Sequence, residues 1–148
     1  MKIYIGADHN GYNLRISLIK YLSNAGYDVV DEGDKHSNPE DDFPVFTAKV
    51  IKDMMNSEDS EPRGILICGS GQGMCMAANR YKGIRACLGY DRLSAQESRN
   101  DDDSNVLCLP ARVLQKDQAN QIVETWLGTP FAAATRFVRR IKEIDGLT

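Results

Sequence analysis

The chain has no run of 18 consecutive apolar residues, so no segment reads as a membrane-spanning helix. Basic residues are not in excess: 18 Lys and Arg stand against 21 Asp and Glu, a net charge of -3. Without a lysine- or arginine-rich run, neither a nucleic acid nor an anionic membrane surface is expected as a partner. Cysteine is sparse, and Cys68, Cys75, Cys87 and Cys108 are spaced too widely for paired CxxC metal clips or a small disulfide scaffold. They read as reduced thiols. No GxGxxG follows the first strand-like segment and no glycine loop ends in GK[ST], so neither nucleotide fingerprint is met and no cofactor or metal is expected. The opening MKIYIGADHNG enters a strand with no apolar leader, and the cytoplasm is the expected compartment.

Present instead is an ordinary globular composition, 42% hydrophobic and 26% charged over 148 residues, enough to bury a core as one domain. Short apolar runs alternate with longer segments of helical period, the pattern of a parallel sheet built from βαβ units. Strands are predicted over 2–7, 27–33, 64–68, 83–89 and 105–110. Helices are predicted over 12–24, 43–55, from about Gly73, and over 93–99, 116–127 and 131–144. The result is an α/β fold, a five-stranded parallel sheet with helices on both faces. In such sheets ligands collect beyond the carboxyl ends of the strands, which directs attention to the loops ADHNG, CGSGQG and YDRLS.

In GILICGSGQGM (64–74) an apolar strand ends in a cysteine and passes into Gly69, Gly71 and Gly73. Glycines let a loop turn sharply and lay its backbone N–H groups against an anion at a helix start; a tight β–α turn without a ligand has the same composition. Cys68, at a strand end facing a helix N-terminus, is expected to have its thiolate stabilised below the free pKa of about 8.5 and can serve as nucleophile or base. The other three cysteines read as small core hydrophobes. Asp8 and His9 follow the first strand at the same sheet edge, suited to proton transfer or a phosphate contact. A solvated loop histidine is the plainer reading. His36, the second of two histidines, has no such context. Arg136 and Arg140 lie one helical turn apart and can clamp a phosphate, though a solvated basic face has the same spacing. Arg139 and Lys142 fit that solvated face.

Together these residues make the chain resemble the ribose-5-phosphate isomerase B family, which includes galactose-6-phosphate and allose-6-phosphate isomerases. The similar pieces run nearly the whole length: ADHNGY at 7–12, DFP at 42–44, GILICGSGQGM at 64–74, AAN at 77–79, GIRA at 83–86, SAQxSR at 94–99, SNVL at 104–107, ARV at 111–113 and the arginines at 136 and 140. The resemblance implies one sugar-phosphate isomerase domain over 1–148 with a three-layer Rossmann-like fold, its C-terminal helix packed on a partner subunit. It further implies an aldose–ketose isomerase of the pentose phosphate pathway, most simply ribose 5-phosphate to ribulose 5-phosphate through a cis-enediolate. Cys68 would be the base, with Ser70 and the amides from Gly69 to Met74, including Gly71 and Gly73, holding the enediolate oxygen. Asp8 and His9 would line the substrate. Arg112, Arg136 and Arg140 would form a phosphate clamp from a neighbouring subunit, so that a homodimer, or a tetramer made of two dimers, shares its sites.

Three features depart from the family pattern. SRxHND reads SRNDDD here, placing Asp101 where the ring-opening histidine is usual and Asp102 where asparagine is usual. An aspartate of ordinary pKa near 3.9 is a poorer acid at neutral pH, and three adjacent carboxylates repel a phosphate unless crowding raises their pKa values. GGRH reads ATRF, with one added residue before Arg136, and Phe43 replaces a tyrosine. These departures leave two alternatives open: an isomerase of another pentose or hexose phosphate, and a sugar-phosphate binding protein without turnover.

Overall fold

In the computed structural model, which describes residues 1–147, the near-continuous apolar runs become strands covered on both faces. The elements in chain order are β1 (Lys2–Ala7), α1 (Tyr12–Asn24), β2 (Asp28–Asp31), α2 (Phe43–Met55), β3 (Arg63–Cys68), α3 (Gln72–Ala78), β4 (Ala86–Leu88), α4 (Arg92–Asn100), β5 (Val106–Pro110), α5 (Lys116–Gly128) and α6 (Thr135–Asp145). The five strands are all parallel, in the order β2-β1-β3-β5-β4.

Strand side chains alternate between two cores, as a period of two requires. On one face Ile3, Ile5, Ile65, Ile67, Leu107 and Leu109 meet Leu18 and Leu22 of α1 and Ile122, Val123 and Trp126 of α5. On the other, Tyr4, Leu66, Cys68, Val106 and Cys108 meet Phe46, Val50, Ile51 and Met54 of α2 and Met74 and Ala78 of α3. The chain is a three-layer α/β sandwich of helices, sheet and helices. Among the described residues no helix is long and apolar enough to cross a membrane.

The two largest shifts from the predicted boundaries fall at the start of the fourth strand and of the last helix; the second strand shortens to Asp28–Asp31, and the other ends move by at most one residue. The fourth strand begins at Ala86, not Gly83, because side chains replace the ladder below it. Arg85 N–H donates to Asn105 Oδ1 at 2.8 Å, and the Asn79 amide accepts from Ala86 N–H at 2.8 Å and donates to Ala86 O at 2.9 Å, closing the free edge. The last helix begins at Thr135, not 131, because Pro130 and then Ala133, at φ 52, hold an extended entry. Of α6 only Phe137 is buried.

The chain passes from β1 outward to β2, then crosses back to β3 on the other side of β1. The crevice between the carboxyl ends of β1 and β3 is therefore the topological switch point, where doubly wound sheets bind ligands.

Candidate active site

At the switch point the β1–α1 turn is built around Asp8. Its carboxylate, only 7% exposed, accepts Asn10 N–H at 2.9 Å and Gly11 N–H at 3.2 Å, an Asx turn that closes the loop on itself. Asp8 N–H reaches across to Ile67 O at 3.2 Å, tying this loop to the end of β3. His9 then faces outward: its Nδ1 lies 2.6 Å from Asp41 Oδ1 and its Nε2 2.9 Å from Asn10 Nδ2. The hydrogen bond to Asp41 raises the His9 pKa above the ordinary imidazole value, with Asp8 adding to the effect and Arg112 opposing it.

Beside this turn, β3 ends at Cys68, 5% exposed on the α2 and α3 side of the sheet. The turn that follows leaves no room for a side chain at Gly69, Gly71 or Gly73. A Cβ on Gly69 would sit 2.9 Å from Arg112 Nε, and one on Gly73 2.9 Å from the Phe43 ring. Gly71 carries φ 73, and a Cβ there would collide with Leu88 and the backbone of Leu109. Ser70 is exposed, and its Oγ accepts Gln72 N–H at 3.3 Å, opening α3. That helix starts at Gln72, one residue before the expected Gly73, and is 7 residues long. Met74, fully buried, contributes its side chain to the core.

Arg112 belongs to this site within one chain, which corrects the expectation that it arrives with the helix arginines of a second subunit. It follows β5 directly, and its N–H donates to Gly69 O at 3.0 Å. Its guanidinium lies over Gly69, with Nη2 donating to Asn10 Oδ1 at 3.2 Å.

The remaining predicted residues lie elsewhere. Asp101 and Asp102 sit between α4 and β5, at the amino ends of the strands, on the edge opposite Cys68. Asp101 caps α4 through its N–H to Glu97 O at 2.9 Å and accepts from Asn100 Nδ2 at 2.7 Å. Partial burial, then the neighbouring Asp101, raises the Asp102 pKa, and Arg140 draws it back down. The expected trio of repelling carboxylates is reduced to a pair: Asp103, at φ 47, is bound by Arg85 at 2.8 Å and Arg99 at 2.7 Å. Arg136 and Arg140 are exposed on α6.

Sequence reasoning missed Asp41 and Asn10. Asp41 meets His9 across 32 residues of chain, a contact no local pattern announces. Asp8, His9 and Asp41 also offer ligand atoms within 4.8 Å of one another, but the hydrogen bonds just described account for all three without an ion.

A parallel sheet with a strand-end thiol, a glycine loop and an arginine gathered at its switch point defines an α/β protein with a site suited to an anionic ligand. A family model described as Ribose/Galactose Isomerase matches residues 3–144, and the chain belongs to that family. A probable ribose-5-phosphate isomerase B of Mycoplasma pneumoniae is 39% identical over 96% of this chain and 91% of its own. A D-erythrulose-4-phosphate isomerase of Pectobacterium atrosepticum is 35% identical over 88% of this chain and 85% of its own. Among solved structures, ribose-5-phosphate isomerase B of Mycoplasma genitalium with bound ribulose-5-phosphate superposes with a TM-score of 0.92 at 37% identity, over 99% of this chain and 95% of the other.

Proposed function

We propose that the protein interconverts ribose 5-phosphate and ribulose 5-phosphate with Cys68 as the base. The observation that carries this reading is the convergence, within one chain, of Cys68 with the glycine loop and Arg112 at the switch point. That a 37% identical relative has been solved with bound ribulose-5-phosphate supports the choice of sugar.

In the proposed reaction the Cys68 thiolate removes the proton from C2 of the open-chain aldose and returns it to C1, while the O2 proton moves to O1. The negative charge on oxygen in the intermediate cis-enediolate is met by loop amides from Gly69 to Met74 and by the Ser70 hydroxyl, donors already in place before the charge develops. Asp8 fixes the loop, His9 lines the substrate beside it, and Arg112 offers a cationic donor to the phosphate of the sugar. Residues 1–148 form one catalytic domain, working in the cytoplasm.

The acidic turn and α6 of a second copy complete the site. Asp101, Asp102, Arg136 and Arg140 lie at the amino ends of the strands and cannot face their own Cys68, so their part in catalysis requires a homodimer with shared sites. Asp101 then occupies the ring-opening position. Its carboxylate and that of Asp102, in place of a histidine and an amide, also favour the second reading, a different phosphorylated sugar. A panel of tetrose, pentose and hexose phosphates assayed with wild type and Cys68→Ala decides both. Turnover of ribose 5-phosphate that disappears in the variant is expected; full activity of Cys68→Ala overturns the base, and a clear preference for another sugar overturns the substrate.

A further inference from the structure

Asp41, His9, Asn10 and Arg112 form one hydrogen-bonded chain across three loops: β2–α2, β1–α1 and β5–α5. The polarity of every link is fixed by its ends. Arg112 is donor-only, so the Asn10 atom facing it at 3.2 Å must be the acceptor Oδ1. The Asn10 NH2 therefore points at His9 and donates to Nε2 at 2.9 Å, which must be an unprotonated ring nitrogen. The ring proton is then on Nδ1, donated at 2.6 Å to Asp41, whose carboxylate only accepts. All three links are satisfied together when His9 is neutral with its proton on Nδ1; protonating the ring keeps the Asp41 link and breaks the Asn10 one. An imidazolium would present N–H to the Asn10 NH2. Turning the amide to relieve that contact would aim its NH2 at a guanidinium.

We propose that Asp41 and Asn10 are positioning residues that act through His9 and Arg112: Asp41 sets the ring tautomer, the ring sets the Asn10 amide, and the amide holds the Arg112 guanidinium over Gly69, where it receives the anionic group of the substrate. The proposal rests on the isomerase reading only in calling that anion the phosphate of a sugar. The hydrogen-bonded chain itself stands on geometry. A Cβ on Gly69 would lie 2.9 Å from Arg112 Nε, so the guanidinium is pressed against the loop that follows Cys68, and a small swing of Arg112 changes what the loop can bind. The charged groups facing His9 are Asp8 in its own turn, Asp41 from the β2–α2 loop and Arg112 from the β5–α5 loop.

The test needs no turnover for its first half. The chain has two histidines, so ring ¹⁵N spectra of the full protein, assigned with His36→Gln, report His9 directly. At pH above the His9 titration the Nδ1–H tautomer is expected; the Nε2–H tautomer, the commoner one for a free ring, would overturn the proposal. Asn10→Ala removes the donor that favours the neutral ring and should raise the His9 pKa, while Asp41→Asn removes the negative charge that favours its charged form and should lower it. Opposite shifts are the expected signature, and no shift in either variant counts against it. In the second half, Asn10→Ala is expected to raise KM for ribose 5-phosphate and the inhibition constant of inorganic phosphate together, by about threefold to tenfold, with kcat within about twofold. A fall in kcat with KM unchanged would sink the positioning role. If wild type turns over no sugar phosphate, the isomerase reading fails, and the ring tautomer together with thermal stabilisation by inorganic phosphate still decides this one.

Discussion

At the carboxyl ends of β1, β3 and β5, Asp8, His9, Asn10 and Arg112 each have a hydrogen-bond partner inside the chain, and the glycine loop is packed against Arg112, Phe43 and Leu88. At the amino ends, Asp102, Arg136 and Arg140 stand exposed, and α6 buries a single side chain, Phe137. One edge of the sheet is a finished site whose groups are pre-organised by short loops. The other carries complementary charge on a helix that its own chain barely covers. On the proposed function, the contrast teaches that Cys68 and the glycine loop lie at one end of the molecule and Asp101, Asp102, Arg136 and Arg140 at the other, so that a complete site needs two copies meeting end to end.

The largest effect should come from removing the thiol from the finished edge. Cys68→Ala is expected to lower kcat by about 10² to 10⁴, the range for loss of a positioned base, with ribose 5-phosphate binding retained. Cys68→Ala and the double variant Arg136→Ala with Arg140→Ala should each be nearly inactive alone. If sites are shared, chains mixed one to one by unfolding and refolding should recover roughly a quarter of wild-type activity, because half the dimers are hybrids and each hybrid has one intact site. No recovery on mixing would show that each chain completes its own site and would end the comparison.

Much of the finished edge was legible because its residues are contiguous in sequence. ADHNG follows the first apolar run and CGSGQG the third, and helices 12–24 and 43–55 were bounded correctly from their apolar period alone. Strand-end placement follows from topology: a residue after a strand lies at the carboxyl edge, a residue between a helix and the next strand at the amino edge. That rule places Asp101 and Asp102 away from Cys68. What escaped the sequence depends on contacts between distant segments. Asp41 becomes a partner of His9 only when the β2–α2 loop folds over the β1–α1 turn. Arg112 becomes a neighbour of Gly69 only because β5 pairs with β3, putting Pro110 beside Cys68. The late start of α6 rests on a left-handed Ala133, a conformation alanine does not advertise.

The next effects are on stability, and they separate a rigid loop from a charged one. Gly71→Ala forces a side chain into φ 73 and against Leu88 and the Leu109 backbone, so a loss of about 2 kcal/mol or more is expected in urea unfolding, with activity falling in parallel. A loss under half of that would mean that the loop yields more easily than its packing suggests. The His9–Asp41 pair gives a smaller effect with a definite sign. Because its folded pKa is raised, His9 binds its proton more tightly in the folded chain; the stabilisation is fully present below the ordinary value of 6.5 and is lost as pH rises through the folded value. The wild-type thermal midpoint should therefore fall more steeply than that of Asp41→Asn between about pH 5 and pH 8. Parallel curves would show that the pair contributes nothing beyond solvated charge.

The smallest effect is expected at the unfinished edge, where the proposed function puts Asp101 in the ring-opening position. Ring opening needs a group that can give a proton to the ring oxygen and take one from the anomeric hydroxyl, and imidazole near its pKa does both at neutral pH better than a carboxyl group of ordinary acidity. Asp101 also accepts from Asn100 Nδ2 at 2.7 Å, which ties its carboxylate to the end of α4. Asp101→His should therefore raise turnover of a sugar phosphate that is mostly cyclic by a factor of about two to ten, and leave turnover of an open-chain analogue unchanged, because only the cyclic substrate passes through that step. An equal gain on both substrates would place Asp101 in binding and not in ring opening. No gain on either would mean that the acidic turn of the second copy does not reach the sugar ring, and the charged edge would then serve recognition alone.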